Sequence, residues 1–183
     1  MKILICGDRY WNDAKLIRRF LISSIKYLHC IQTKSLDFIY DPDNIYIIEG
    51  EATGVDLIGK QEALNIGIPD KNILKFPAPW GDIKGKCHNQ IGYNRSTDSY
   101  YWKGAGPYRN KLMIEQNPDL VLAFHNNISK SRGTKNMISL AESHNVERII
   151  VENGIMITTI EKSYISYFFT NQQGYKYLNW RGK

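Results

Sequence analysis

The stretch Gly104 to Thr134, GAGPYRNKLMIEQNPDLVLAFHNNISKSRGT, decides how the chain is read. Gly106 is placed to cap a helix, and Pro107 suits a first helical turn, where a missing N–H costs nothing. Asn117-Pro118 stops that helix. Asp119 then leads into Leu120-Val-Leu-Ala-Phe124, a short apolar run of strand type. The loop from His125 to Arg132 is polar, and Gly133-Thr134 opens the next helix. A strand, a polar loop, a glycine and a helix start form an anion-binding arrangement, because unpaired N–H groups and the helix dipole converge there. Arg109, one turn into the preceding helix, is within reach of the same place.

The same alternation runs outward in both directions. Residues 2–6 read as a buried strand, followed by the loop Gly7-Asp8-Arg9-Tyr10-Trp11. Asn12 is placed to cap a helix in which Ile17, Phe20, Leu21, Ser24 and Leu28 share one face. Residues 31–44 are polar and irregular. Ile45–Ile48 is a second strand, running into Glu49-Gly-Glu-Ala-Thr-Gly-Val-Asp56 and a helix to about Ile66. Ile73–Phe76 is a third strand, 119–124 a fourth, and Arg148–Val151 a fifth, after a helix over 134–144.

Strands alternating with helices predict an α/β fold: a Rossmann-like parallel sheet of about five strands with helices on both faces. In such sheets ligands bind outside the carboxyl ends of the strands, where the strand order reverses. The loops leaving strands one, two and four are GDRYW, EGEATGVD and HNNISKSRGT. All three are polar, contain glycine and must open on the same edge.

Two segments break the repeat. Residues 81–103 are long, polar and aromatic, and read as an inserted loop that forms a flap or a partner surface. Residues 152–183 carry clustered aromatics and are too apolar to stay free. They are expected to pack on the domain of residues 1–151 or on a second subunit.

With 183 residues, 43% hydrophobic and 23% charged, the composition is globular. No apolar run approaches the roughly 18–20 residues of a membrane span, and no signal-peptide pattern precedes the first strand. Cys6, Cys30 and Cys87 lack metal-ligand spacing and fit a reduced, cytoplasmic protein. The histidines His29, His88, His125 and His144 have no i, i+4 partner, so neither a metal nor another cofactor is expected. The formal charge of +6 is a mild basic bias that suits a phosphorylated ligand or nucleic acid, but the lysines and arginines are scattered, so the signal for nucleic acid is weak and it is not the expected partner. Richness in Ile, Lys and Asn is the composition an AT-rich genome, such as a viral one, produces.

Read in order, GDR…W, G-x-x-x-G-x-D, FPAPW, AGPYRNKLM, PDLVLAF and S-x-GT-x-x-M…A resemble the YspA-type (YpsA-related) branch of the SLOG superfamily. Its wider relatives include the Lonely Guy phosphoribohydrolases and the DprA single-strand DNA binders. The resemblance covers about residues 2–151. It implies a Rossmann-like fold and a nucleotide or nucleotide-derived ligand. Where Lonely Guy enzymes carry PGGxGTxxE, the position of the glutamate is Met137 here.

The expected ligand site is therefore Gly7, Asp8, Arg9, Gly50, Gly54, Asp56, Arg109, Asn110, Ser129, Ser131, Gly133 and Thr134. Each has a plainer role beside this one: Asp56 charges a helix start, Ser131 or Thr134 caps one, and Gly54 lets a turn close. The leading expectation is a sensor or sequestering module for a nucleotide. The alternative is a nucleoside 5′-monophosphate N-glycosidase, with Arg109 orienting the substrate and Glu49, Glu51 or Asp56 supplying the carboxylate that stabilises the sugar cation. A third is DprA-like binding of single-stranded DNA through the basic charge and the aromatics. Self-association through the aromatic tail is a further expectation.

Overall fold

The computed structural model describes residues 1–153 and 155–169, together with the backbone of 176–179. The elements run β1 (Lys2–Gly7), α1 (Ala14–Thr33), β2 (Tyr46–Glu49), α2 (Val55–Asn65), β3 (Ile73–Lys75), β4 (Ile91–Asn94), β5 (Ser99–Trp102), α3 (Ala105–Ile114), β6 (Leu120–His125), α4 (Arg132–Ser143), β7 (Glu147–Glu152), β8 (Ile155–Thr158), α5 (Lys162–Phe168) and β9 (Lys176–Asn179).

The main sheet has the order β3-β2-β1-β6-β7-β8-β9. Its first five strands are parallel, with Ile3 opposite Ile47 on one side and Leu120 on the other. The expected count of about five strands is too low. β8 joins β7 antiparallel as a sixth strand, and β9 pairs with β8 as a seventh. The alternation of strand and helix predicts only the parallel block, because a hairpin return leaves no helical period behind it.

Two apolar layers follow from the two-residue side-chain period of the central strands. Ile3, Ile5, Leu122 and Phe124 face α1, α2 and α5. Leu4, Cys6, Val121 and Ala123 face α3 and α4 through Met113, Ile114, Met137 and Ala141. Phe20 meets Phe124 edge-on at 5.7 Å, and each such buried ring contributes about 2–3 kcal/mol. Met156, Ile160, Ile165 and Phe169 belong to the first layer, so residues beyond 151 share the domain's core.

Local signals act close to where the sequence puts them, with shifts of a residue or two. α1 is capped by Asp13, whose carboxylate accepts the Leu16 N–H at 2.9 Å, rather than by Asn12. It also runs on to Thr33, into the stretch expected to be irregular. α3 starts at Ala105 with Gly104 as its cap, so Pro107 lies within the first turn and Gly106 is inside the helix. After α3 the chain turns through Asn117 at φ 52°, a left-handed conformation that Asn tolerates. Asp119 then accepts the Lys2 N–H at 2.6 Å and donates its own N–H to the Lys2 carbonyl at 2.8 Å, which sets the β1–β6 register.

The segment 81–103 is a structured arm, not a loop. β4 and β5 form an antiparallel hairpin, with Ile91 opposite Trp102. The Asn94 side chain accepts the Ser96 N–H at 3.0 Å at its turn. Trp102 packs on Tyr108 of α3 at 5.3 Å, and the Lys86 ammonium lies 4.1 Å from the Trp102 ring centroid. No helix among the described residues is long and apolar enough to cross a membrane.

Candidate functional site

Strand order reverses between β1 and β6, so the loops after these two strands diverge and leave a crevice. Gly7 closes its floor: a Cβ there would fall 2.1 Å from the Phe124 carbonyl oxygen. Asp8 then ties the surrounding loops together. Its N–H donates to Phe124 O at 2.9 Å, and its carbonyl accepts the N–H of Val55 at 3.1 Å and of Trp11 at 3.3 Å. Its carboxylate accepts the Tyr10 N–H at 2.9 Å and the Asn126 amide at 3.4 Å. Asp8 thus spends most of its capacity on the loops themselves.

Asp56 sits in the first turn of α2 and is 3% exposed. Its carboxylate lies 3.5 Å from Arg109 Nη1 and accepts the Ala52 N–H at 3.4 Å. Burial pushes its carboxyl up to about 6, against the pull of Arg109 and the backbone N–H groups. Arg109 Nη1 also donates to the Gly50 carbonyl. The arginine is therefore anchored to the loop after β2, and its buried Nε has no hydrogen-bond partner among the described residues.

Glu49 ends β2 and is fully buried. One carboxylate oxygen accepts the Glu51 N–H at 2.5 Å, while the other has no hydrogen-bond partner among the described residues. Burial raises its pKa from the ordinary carboxylate range.

On the far side of the crevice, Ser131 caps α4 by accepting the Thr134 N–H at 3.0 Å. The N–H groups of Arg132 and Gly133 lie in the first turn, outside the helical ladder. Asn110 locks this turn to α3: its amide donates to Gly133 O at 3.1 Å and to Asn136 Oδ1 at 3.0 Å. His125, at the end of β6, accepts the Asn127 N–H on Nδ1 at 2.8 Å. The neutral ring therefore carries its proton on Nε2.

Most of these residues meet at one cavity of about 330 Å³. Gly7, Asp8, Arg9, Asp56 and Arg109 line it together with Asn110, Ser131, Gly133 and Thr134. Gly50 and Glu51 instead line a second cavity of about 330 Å³, which shares Arg9, Ala52 and Arg109 with the first.

Three expected positions lie elsewhere. Ser129 is turned away from both cavities: it lies within a short 3-10 turn over 128–130 ahead of the helix, and its hydroxyl donates to Asn127 Oδ1 at 2.6 Å. Gly54 is a backbone necessity: it has φ 73°, and a Cβ would meet the Asp8 carbonyl oxygen at 2.1 Å. Glu49 lines neither cavity. Met137 is fully buried in the second core layer, so no carboxylate enters from its position.

The first cavity also contains Cys6, Tyr10, Met113, His125 and Arg132, which the expected ligand set omits. Arg132 and Tyr10 had a signal in standing next to Gly133 and Arg9. Cys6 and Met113 had none beyond their place in apolar runs. Burial pushes the Cys6 thiol up, so it stays protonated and unreactive at neutral pH. With Arg9, Arg109 and Arg132 against Asp8 and Asp56, the lining carries an excess of positive charge that suits an anion.

Comparison of the chain with protein-family models, curated proteins and solved structures finds no match.

Proposed function

We propose that this chain binds a nucleotide or nucleotide-derived phosphate ligand at the carboxyl edge of its sheet, as a sensor or sequestering module. One observation carries this reading: the first turn of α4 and three arginines meet in a single crevice at the reversal of strand order. The Arg132 and Gly133 N–H groups offer donors to phosphate oxygens, and the helix dipole favours negative charge there. Arg9 and Arg132 are exposed and unburdened by the anchoring that Arg109 performs, so they are the side chains that reach for the phosphate. This is also the ligand class implied by the SLOG resemblance.

The test is a panel of nucleoside mono-, di- and triphosphates and cyclic nucleotides, read by thermal shift and by free-base release together. Binding at a hundred times Kd stabilises the fold by about 2.7 kcal/mol. Stabilisation without base release fits the binding module, and absence of any shift overturns it.

A second reading is supported by Asp56. It is the one expected carboxylate of the N-glycosidase set that lines the first cavity. An ionised Asp56 there favours the oxocarbenium-like charge of N-glycosidic cleavage. Base release lost on Asp56→Asn would favour the enzyme, and base release unaffected by it would remove Asp56 from that role.

A further inference from the structure

The second cavity differs in chemistry from the crevice it adjoins. Pro77, Ala78 and Trp80 give it an apolar wall, and Glu51 gives it a carboxylate. Trp80 is the notable member. It is 40% exposed and belongs to neither apolar core layer.

Yet Trp80 is held from several sides. Its carbonyl accepts the Trp102 N–H at 2.8 Å, and its N–H donates to the Ala78 carbonyl at 2.8 Å. Tyr101 of the hairpin meets its ring edge-on at 6.3 Å. On α3, a Cβ at Gly106 would lie 3.4 Å from the ring, so the helix approaches the indole closely. The hairpin and α3 thus fix an aromatic side chain that the core does not use, with part of its surface open beside an anion-attracting crevice.

We propose that the second cavity takes the base of the bound nucleotide, stacked on Trp80, while the phosphate lies in the first cavity and Arg9 and Arg109 line the passage between them. This rests on the phosphate reading above. It gives residues 81–103 a role, since β4 and β5 hold the stacking wall in place. Glu51 favours a base whose edge offers N–H donors, as guanine N1 and N2 do and, with one exocyclic amine, adenine does. An aromatic platform alone is tolerant of base identity, so the carboxylate supplies the preference.

The experiment is calorimetric titration of the full chain with GMP, AMP and ribose 5-phosphate. Ribose 5-phosphate keeps the phosphate and sugar but has no base. The better of the two nucleotides is expected to bind about tenfold or more tighter than ribose 5-phosphate, the range of a single base stack. Trp80→Ala erases that difference and leaves ribose 5-phosphate binding unchanged, while Trp80→Phe retains most of it. Glu51→Gln narrows the preference for GMP over AMP. Equal binding of ribose 5-phosphate and both nucleotides, or a difference that survives Trp80→Ala, overturns the base subsite while the phosphate crevice stands. If none of the three binds, the phosphate reading falls and the base subsite falls with it. Ribose 5-phosphate binding lost in Trp80→Ala but kept in Trp80→Phe would make Trp80 a structural support of the crevice, and that too overturns the proposal.

Discussion

The Arg109 guanidinium occupies the space that a side chain at position 50 would need. Nη1 donates to the Gly50 carbonyl, and a Cβ on Gly50 would fall 1.5 Å from that nitrogen. The arginine crosses from α3 to the loop after β2 only because residue 50 has no side chain. Gly50→Ala is expected to expel the guanidinium and destabilise the fold by about 2 kcal/mol. Thermal melts with and without a nucleotide check this. An unchanged melting temperature would mean that the arginine is free to sit elsewhere.

Arg109→Ala leaves the Asp56 carboxylate, 3% exposed, without its cation. Removing one partner of a buried pair costs about 3 kcal/mol. Adding Asp56→Asn removes the stranded charge, so the double variant is expected to regain part of the loss. Urea denaturation of the two single variants and the double variant forms the cycle that measures the coupling. Strictly additive losses would show that the two residues act independently.

Asp56 also makes stability depend on pH. Its carboxyl titrates near 6 in the folded chain, against 3.8 as its ordinary value. Between these values the folded state binds more protons than the unfolded one, so this group's contribution falls as pH rises from about 4 to 6. The full shift corresponds to roughly 3 kcal/mol. Glu49, raised by burial as well, acts in the same direction. Asp56→Asn should flatten the slope across this window when urea midpoints are measured from pH 4 to 7. Parallel pH profiles for the two proteins would assign the slope to other carboxyls.

Two glycines at the site's edge should respond in opposite ways. Gly54 has φ 73° and faces the Asp8 carbonyl at 2.1 Å from where a Cβ would stand. Gly54→Ala is expected to cost about 3 kcal/mol through strain and collision together. Gly133 lies in the first turn of α4, and among the described residues nothing stands within 4 Å of a Cβ there. Gly133→Ala is expected to be neutral or stabilising by up to about 1 kcal/mol. Thermal melts of both variants decide the contrast, and a large loss from Gly133→Ala would mean that its backbone is under a constraint the fold does not explain.

The Asn127 N–H held by His125 Nδ1 predicts the tautomer of the neutral ring. Nitrogen chemical shifts at mildly alkaline pH should show Nε2 protonated and Nδ1 bare. A proton on Nδ1 instead would require the loop after β6 to release that hydrogen bond.

Much of the parallel core was open to reading residue by residue. Ile3–Cys6, Ile45–Ile48, Leu120–Phe124 and Ile149–Val151 are apolar runs bounded by caps, turns or charged residues, and those signals act within a few positions of themselves. The loops GDRYW, EGEATGVD and HNNISKSRGT could be placed on one edge for the same reason, since parallel strands leave their carboxyl ends together. The shifts from Asn12 to Asp13 and from Gly106 to Gly104 show the limit of cap reading: several residues near a helix end can serve, and the register of the helix on the core chooses one.

By itself, then, the chain's apolar periodicity and punctuation determined the alternation of strand and helix, the parallel direction, and the edge where polar loops gather. Only the tertiary structure decided that β8 returns antiparallel, that 81–103 folds into a hairpin behind Trp80, that Ser129 turns away, and that Arg109 is spent on Gly50 and Asp56. The reason is the range of the forces involved. A helix cap or a strand period is settled by neighbours along the chain, whereas the occupants of a cavity depend on contacts such as Arg109 to Gly50, 59 residues apart, which exist only once the sheet has brought them together.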